Sequence, residues 1–199
     1  MIYIFDLGGV IIKSQDLKKI YDELKPKVDY DTFIDIWYND PEVIDAHKGL
    51  KDENESFRNV LEKIGCKISS INELFNIVYK ERDYYEDTLN IINTLRNNGK
   101  KVYLLSNLRK IDFEYLKKDI DISIFDKTFL SYEMNLIKPQ KEIYETVIED
   151  LNINPNNIYF FDDNSTNIDS AIQCGIKGFC VTGDNIKEVF QKNNLLSDE

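Results

Sequence analysis

Five short apolar runs punctuate the chain: IYIF at 2–5, VYLL at 102–105, KTFL at 127–130, IYFF at 158–161 and GFCV at 178–181. Runs of this length and apolarity read as strands buried on both faces of a parallel sheet. Helical patterns lie between the later ones. In DTLNIINTLRNNG, Leu89, Ile92 and Leu95 recur on one face before Asn98-Gly99. In KEIYETVIEDLN, Ile143, Tyr144, Val147, Ile148 and Leu151 do the same ahead of Asn154-Pro155, and TNIDSAIQC is closed by Gly175. Strand alternating with helix over residues 86–190 predicts an α/β fold with an open, mostly parallel sheet.

Residues 15–85 break that rhythm. They hold no convincing strand and much helical periodicity, in LKKIYDEL, YDTFIDIWY, NESFRNVLEKIG and INELFNIVYKERDYY. The predicted organisation is therefore a core from residues 1–14 and 86–199, with a helical insert at 15–85. Ligands of doubly wound sheets bind at the carboxyl ends of the strands, so an insert leaving there would hang over the site as a lid. No internal repeat or low-complexity linker interrupts the chain, and it closes on a polar tail, LLSDE.

Charge narrows the list of partners. With 36 acidic against 25 basic residues in 199, the net charge is −11, a field that repels polyanions. The lysine pairs 18–19, 100–101 and 117–118 are scattered, so no nucleic acid is expected. No apolar run is long enough to span a membrane. Cys66, Cys174 and Cys180 show neither disulfide nor zinc spacing and read as plain thiols, which with the lack of a signal peptide leads us to expect a cytoplasmic protein. One histidine, His47, cannot build a histidine metal site alone.

The chemistry gathers at strand ends. Asp6 follows IYIF, Ser106-Asn107 follows VYLL, and Asp162-Asp163-Asn164 follows IYFF, while Ile137-Lys138-Pro139 precedes a helix. In a parallel sheet these ends share one rim. Each residue also has a plain structural reading. Asp6 suits a turn, Ser106 and the Asp162-Asp163 pair suit helix caps, and Lys138 suits a solvated loop. Arg109 is either a substrate-side cation or a surface arginine. Trp37, Tyr38 and His47 either line a pocket or pack in a helical core.

Taken together, FDLGGV, LLSN, IKP and FFDDNSTN resemble, in order, the four motifs of the haloacid dehalogenase-like hydrolases, most of which are Mg²⁺-dependent phosphatases. The resemblance covers essentially the whole chain and is greatest to sugar-phosphate phosphatases of the glucose-1-phosphate phosphatase type. It implies a Rossmann-like parallel sheet core with an inserted helical cap. It also implies Asp6 as nucleophile, forming an aspartyl-phosphate, and Mg²⁺ held by Asp6, the Gly8 carbonyl and Asp163, with Asp162 beside it. Lys138 would neutralise a phosphoryl oxygen, Ser106 and the Asn107 backbone N–H would donate to the phosphoryl group, and Asn167 would order a water. The expected substrate is a small phosphorylated molecule.

One position departs from the pattern. Most phosphatases of this family carry a second aspartate two residues after the nucleophile, where this chain has Gly8. That side chain supplies general acid–base help, worth about 10²–10⁴-fold. Three consequences are open: a substrate with a good leaving group, a replacement acid from the cap (Glu42, Asp45, Glu53 or Glu55), or a catalytically silent protein that binds a phosphorylated ligand or a protein partner. A haloacid dehalogenase would use the same aspartate but needs no metal, which leaves the acidic pair without a purpose. The two glycines together are expected to allow a compact turn and close substrate approach.

Overall fold

The apolar runs become strands in the computed structural model, which describes residues 1–67, 71–79 and 82–196. Strands β1 (Ile2–Phe5), β2 (Lys101–Ser106), β3 (Lys127–Leu130), β4 (Ile158–Asp162) and β5 (Lys177–Cys180) form one sheet in the order β3-β2-β1-β4-β5. Every pairing is parallel, with Phe5 opposite Leu104 on one side and Phe161 on the other. The fifth strand begins one residue earlier than the apolar run suggested, because Lys177 pairs with Tyr159. The sheet reverses its order between β1 and β4, which puts the topological switch point beside Asp6.

Period-two alternation sends successive residues into two cores. Tyr3, Phe5, Val102, Leu104 and Phe161 face one cluster, and Ile2, Ile4, Leu105, Ile158 and Phe160 the other. Helices α6 (Glu86–Asn97), α7 (Lys110–Asp119) and α11 (Ile186–Lys192) cover the first face through residues such as Ile92, Leu116 and Phe190. On the second face lie α9 (Lys141–Leu151) and α10 (Ser165–Gln173), through Tyr144, Val147 and Ala171. Each large apolar side chain so buried contributes roughly 1.5–3 kcal/mol before entropy is counted. A short helix, α8 (Ser131–Met134), follows β3.

Between β1 and β2 run α1 (Leu17–Leu24), α2 (Tyr30–Asn39), α3 (Pro41–His47), α4 (Glu53–Lys63) and α5 (Ile71–Tyr79). Aspartates start four of them: Asp16, Asp29, Asp40 and Asp52 each accept a first-turn backbone N–H, which accounts for part of the acidic excess. These helices have their own apolar centre, in which Ile20, Phe33, Phe57, Leu61, Ile64, Leu74 and Phe75 meet. Helix α3 was not expected; Asp40-Pro41 opens it as N-cap and first residue.

Two sequence expectations change here. The helical pattern predicted over INELFNIVYKERDYY yields α5 only as far as Tyr79, and its Lys80-Glu81 lie outside the described residues. Residues 83–85 instead run extended against 11–13, with Lys13 N–H to Asp83 O and Tyr85 N–H to Ile11 O both 2.9 Å. The tail is not wholly polar in its setting: Leu195 is buried, and its carbonyl accepts from the Tyr3 hydroxyl at 2.7 Å. Ser197–Glu199 lie outside the described residues.

Candidate active site

Because all five strands are parallel, their carboxyl ends open on one rim. Asp6 leaves β1 with its N–H on Phe161 O at 2.8 Å, and Asp162 ends β4. Lys138 bridges them, its Nζ 2.8 Å from Asp6 Oδ1 and 2.6 Å from Asp162 Oδ2. All three residues are buried. A buried lysine between two carboxylates is not a solvated loop residue, and Asp162 does more than cap a helix.

The surroundings fix that triad. Asp162 also accepts from Asn164 N–H at 2.9 Å and from Asn167 Nδ2 at 3.0 and 3.1 Å. Asn167 therefore orients Asp162 through its amide nitrogen. Asn107 and Lys138 exchange bonds: Lys138 N–H donates to Asn107 Oδ1 at 2.9 Å and Asn107 Nδ2 to Lys138 O at 3.0 Å. The Asn107 side chain thus ties the loop after β2 to the loop carrying the lysine, a role that side-chain chemistry alone did not reveal. Ser106 ends β2, buried, and its hydroxyl makes no hydrogen bond to the described residues.

Asp163 completes the cluster and is exposed. One carboxylate oxygen each from Asp6, Asp162 and Asp163 lie within 4.8 Å of one another. Three acids against one ammonium leave the site short of positive charge, and the carboxyls register it. Burial, opposed by Lys138 and aided by Asp162, pushes Asp6 up to about 6, while burial and then Asp162 raise Asp163. Burial disfavours the Lys138 ammonium, but Asp6 and Asp162 outweigh it and hold the lysine above its usual value. A compact set of hard oxygen donors with unmet negative charge fits Mg²⁺.

The two glycines differ. Gly9 has φ +70°, and a Cβ there would collide with the Asp163 carboxylate, so glycine lets the backbone lie against it. Gly8 has no such need: nothing stands within 4 Å of where its Cβ would be, and its φ is ordinary. The expectation that both glycines serve the turn is corrected accordingly.

Other expected residues fall elsewhere. Arg109 forms a two-pronged bond to Asp112 at 2.8 and 2.9 Å and lies over the Phe57 ring, so it is spent at the contact between α4 and α7. Nearby, Glu53 accepts the Ile111 N–H at 3.1 Å, and Glu42 is held by Lys51 and Asn59. Trp37 packs on Phe33 in the insert's centre. His47 hydrogen-bonds Val43 O at 2.8 Å, its pKa lowered to about 3 by burial and then by Arg109. Tyr38 is more than half exposed as a residue, yet partial desolvation at its hydroxyl, then Tyr30 and the Asp163 charge, hold its pKa above the usual value. A hollow of about 720 Å³ lies between α1, α5 and α7 against Phe75, Tyr79 and Tyr115, and Asp6, Asp162, Asp163 and Lys138 do not line it.

The family model for haloacid dehalogenase-like hydrolases matches residues 1–175. A D-ribitol-5-phosphate phosphatase of Bacteroides thetaiotaomicron is 26% identical over 187 residues, covering 88% of this chain and 89% of the relative. Drimenol cyclase drtB of Aspergillus calidoustus is 27% identical over 134 residues, 65% of this chain, which spans only 25% of that longer protein. Among solved structures, a HAD family enzyme from Bacteroides thetaiotaomicron in complex with magnesium and inorganic phosphate has a TM-score of 0.73 at 28% identity, over 91% of this chain and 93% of that one.

Proposed function

The chain belongs to the haloacid dehalogenase-like hydrolases, and on that premise we propose that it is a Mg²⁺-dependent phosphatase acting on a small phosphomonoester, a sugar phosphate in the first instance. The observation that carries this reading is Asp6 at the switch point, paired with Lys138 at 2.8 Å inside a cluster of three acids. In this reading residues 1–14 and 86–199 are the core and 15–85 the cap. The free thiols of Cys66, Cys174 and Cys180 suit the reducing cytoplasm, and among the described residues no helix is long and apolar enough to cross a membrane.

An Asp6 oxygen attacks phosphorus, forming the aspartyl-phosphate as the bond to the leaving oxygen breaks with its electron pair. Lys138, already beside Asp6, holds a phosphoryl oxygen in place, and the Ser106 hydroxyl and Asn107 N–H donate to the others. Water then attacks phosphorus, the Asp6 carboxylate departs and inorganic phosphate leaves. Asp6, the Gly8 carbonyl, Asp163 and Asp162 would hold Mg²⁺, which when bound offsets the negative charge where carboxylate meets phosphate.

The test is phosphate release from sugar 1-phosphates, acyl phosphates, p-nitrophenyl phosphate and D-ribitol 5-phosphate, with Mg²⁺ or EDTA, beside Asp6→Asn. Release that requires both Mg²⁺ and Asp6 is expected. A folded protein that releases phosphate from none of them would instead be a silent ligand-binding member. Metal-independent halide release from a 2-haloacid would make it a dehalogenase.

A further inference from the structure

Gly8 stands two residues after Asp6, on the same loop, with open space where a side chain would lie and a backbone angle any residue can adopt. Nothing in the fold calls for glycine there. Among the described residues, none of the four acids considered as replacements, Glu42, Asp45, Glu53 and Glu55, is bonded to Asp6 or Lys138. Glu42 is engaged by Lys51 and Asn59, Glu53 by the start of α7, and Glu55 faces Lys51 at 3.9 Å. No described hydrogen bond or ion pair joins Asp45 to Asp6, Lys138 or Asp162. Lys138 is itself engaged, its Nζ shared between Asp6 at 2.8 Å and Asp162 at 2.6 Å.

We infer that Gly8 sets the substrate class: the enzyme cleaves phosphates whose leaving oxygen departs as a stabilised anion, and discriminates against primary alkyl phosphates. The inference rests on the phosphatase reading above. When Asp6 attacks, the leaving oxygen takes the electron pair of the broken P–O bond and, with no acid beside it, departs unprotonated. Its proton comes later from solvent. Acyl, aryl and anomeric sugar phosphates meet that condition because resonance or the ring oxygen disperses the charge; a primary alkoxide does not. General acid help is worth about 10²–10⁴-fold, which is the scale of the discrimination.

The experiment measures kcat/KM over a series of aryl, acyl, anomeric and primary alkyl phosphates in wild type, Gly8→Asp and Gly8→Asn, with thermal melts to check folding. The wild-type rate is expected to fall steeply as the leaving group becomes more basic, by about 10²-fold or more across the series. Gly8→Asp should flatten the slope by restoring the alkyl substrates, whereas Gly8→Asn, which fills the same space without an ionisable acid, should not. A shallow wild-type slope overturns the inference, and if Tyr38→Phe then steepens it, the phenol near Asp163 is the acid. Equal flattening by Gly8→Asn also overturns it, since filling space would then suffice. If Gly8→Asp fails to fold, the wild-type slope decides alone. Absence of release from every substrate sinks the phosphatase reading itself, and the inference with it.

Discussion

The ammonium of Lys138 lies 2.8 Å from Oδ1 of Asp6, and both groups are buried at the carboxyl end of the sheet. The same nitrogen is 2.6 Å from Asp162, so one cation serves two carboxylates in a region with little water to screen them. In the proposed reading, such a cluster serves binding and catalysis at some cost to stability.

That imbalance separates two substitutions. Lys138→Met leaves Asp6 and Asp162 facing each other unpaired and is expected to cost about 3–5 kcal/mol along with activity. Asp6→Asn should abolish turnover yet hold or raise stability, because Lys138 and Asp162 remain a balanced pair. Urea unfolding of both variants without metal checks this, and equal losses would refute the charge accounting.

Gly9 carries a steric requirement. Gly9→Ala adds a Cβ that collides with Asp163 Oδ2, on a residue at φ +70°. A loss of about 1–3 kcal/mol is expected, with weakened Mg²⁺ binding as Asp163 is displaced. Gly8→Ala meets open space and should melt close to wild type. Thermal melts of the two variants give the comparison.

Metal binding should register as stability. Mg²⁺ that binds the folded acids and not the unfolded chain stabilises by about 2.7 kcal/mol at a hundred times its dissociation constant. The melting temperature should rise with Mg²⁺, fall back with EDTA, and respond far less in Asp163→Asn. An undiminished response in that variant would remove Asp163 from the metal site.

His47 gives a pH dependence that a single signal can follow, since the chain has one histidine. The Val43 carbonyl accepts from the neutral ring at 2.8 Å, and the folded pKa is lowered to about 3 by burial and Arg109. The unfolded chain takes up this proton near pH 6.5 while the folded ring stays neutral. Stability is thus fully present above that pH and is lost as pH falls from 6.5 towards 3, by about 1.4 kcal/mol per pH unit from this group. Ring-proton NMR should show no titration between pH 8 and 5, and His47→Gln should flatten the unfolding curve over pH 6–4.

The strands, their parallel direction and the acids at their ends were legible in the sequence, because a buried strand advertises itself locally. IYIF and IYFF are apolar on both faces, and the residue that ends each run, Asp6 or Asp162, must emerge at the rim. The side-chain partnerships were not legible. Asn107 meets Lys138 across 31 residues, and Arg109 reads as a free cation until folding puts Asp112 and Phe57 against it.

By itself, then, the sequence determined which chemical groups the sheet presents and in what order, since hydrophobic period and strand-end position are properties of neighbours along the chain. Only the tertiary structure decided that Lys138 is shared between two acids, that Gly9 and not Gly8 is sterically required, and that Arg109, Glu42 and Glu53 are already engaged. Those outcomes depend on distances of a few ångströms between residues far apart in sequence, which no local pattern encodes.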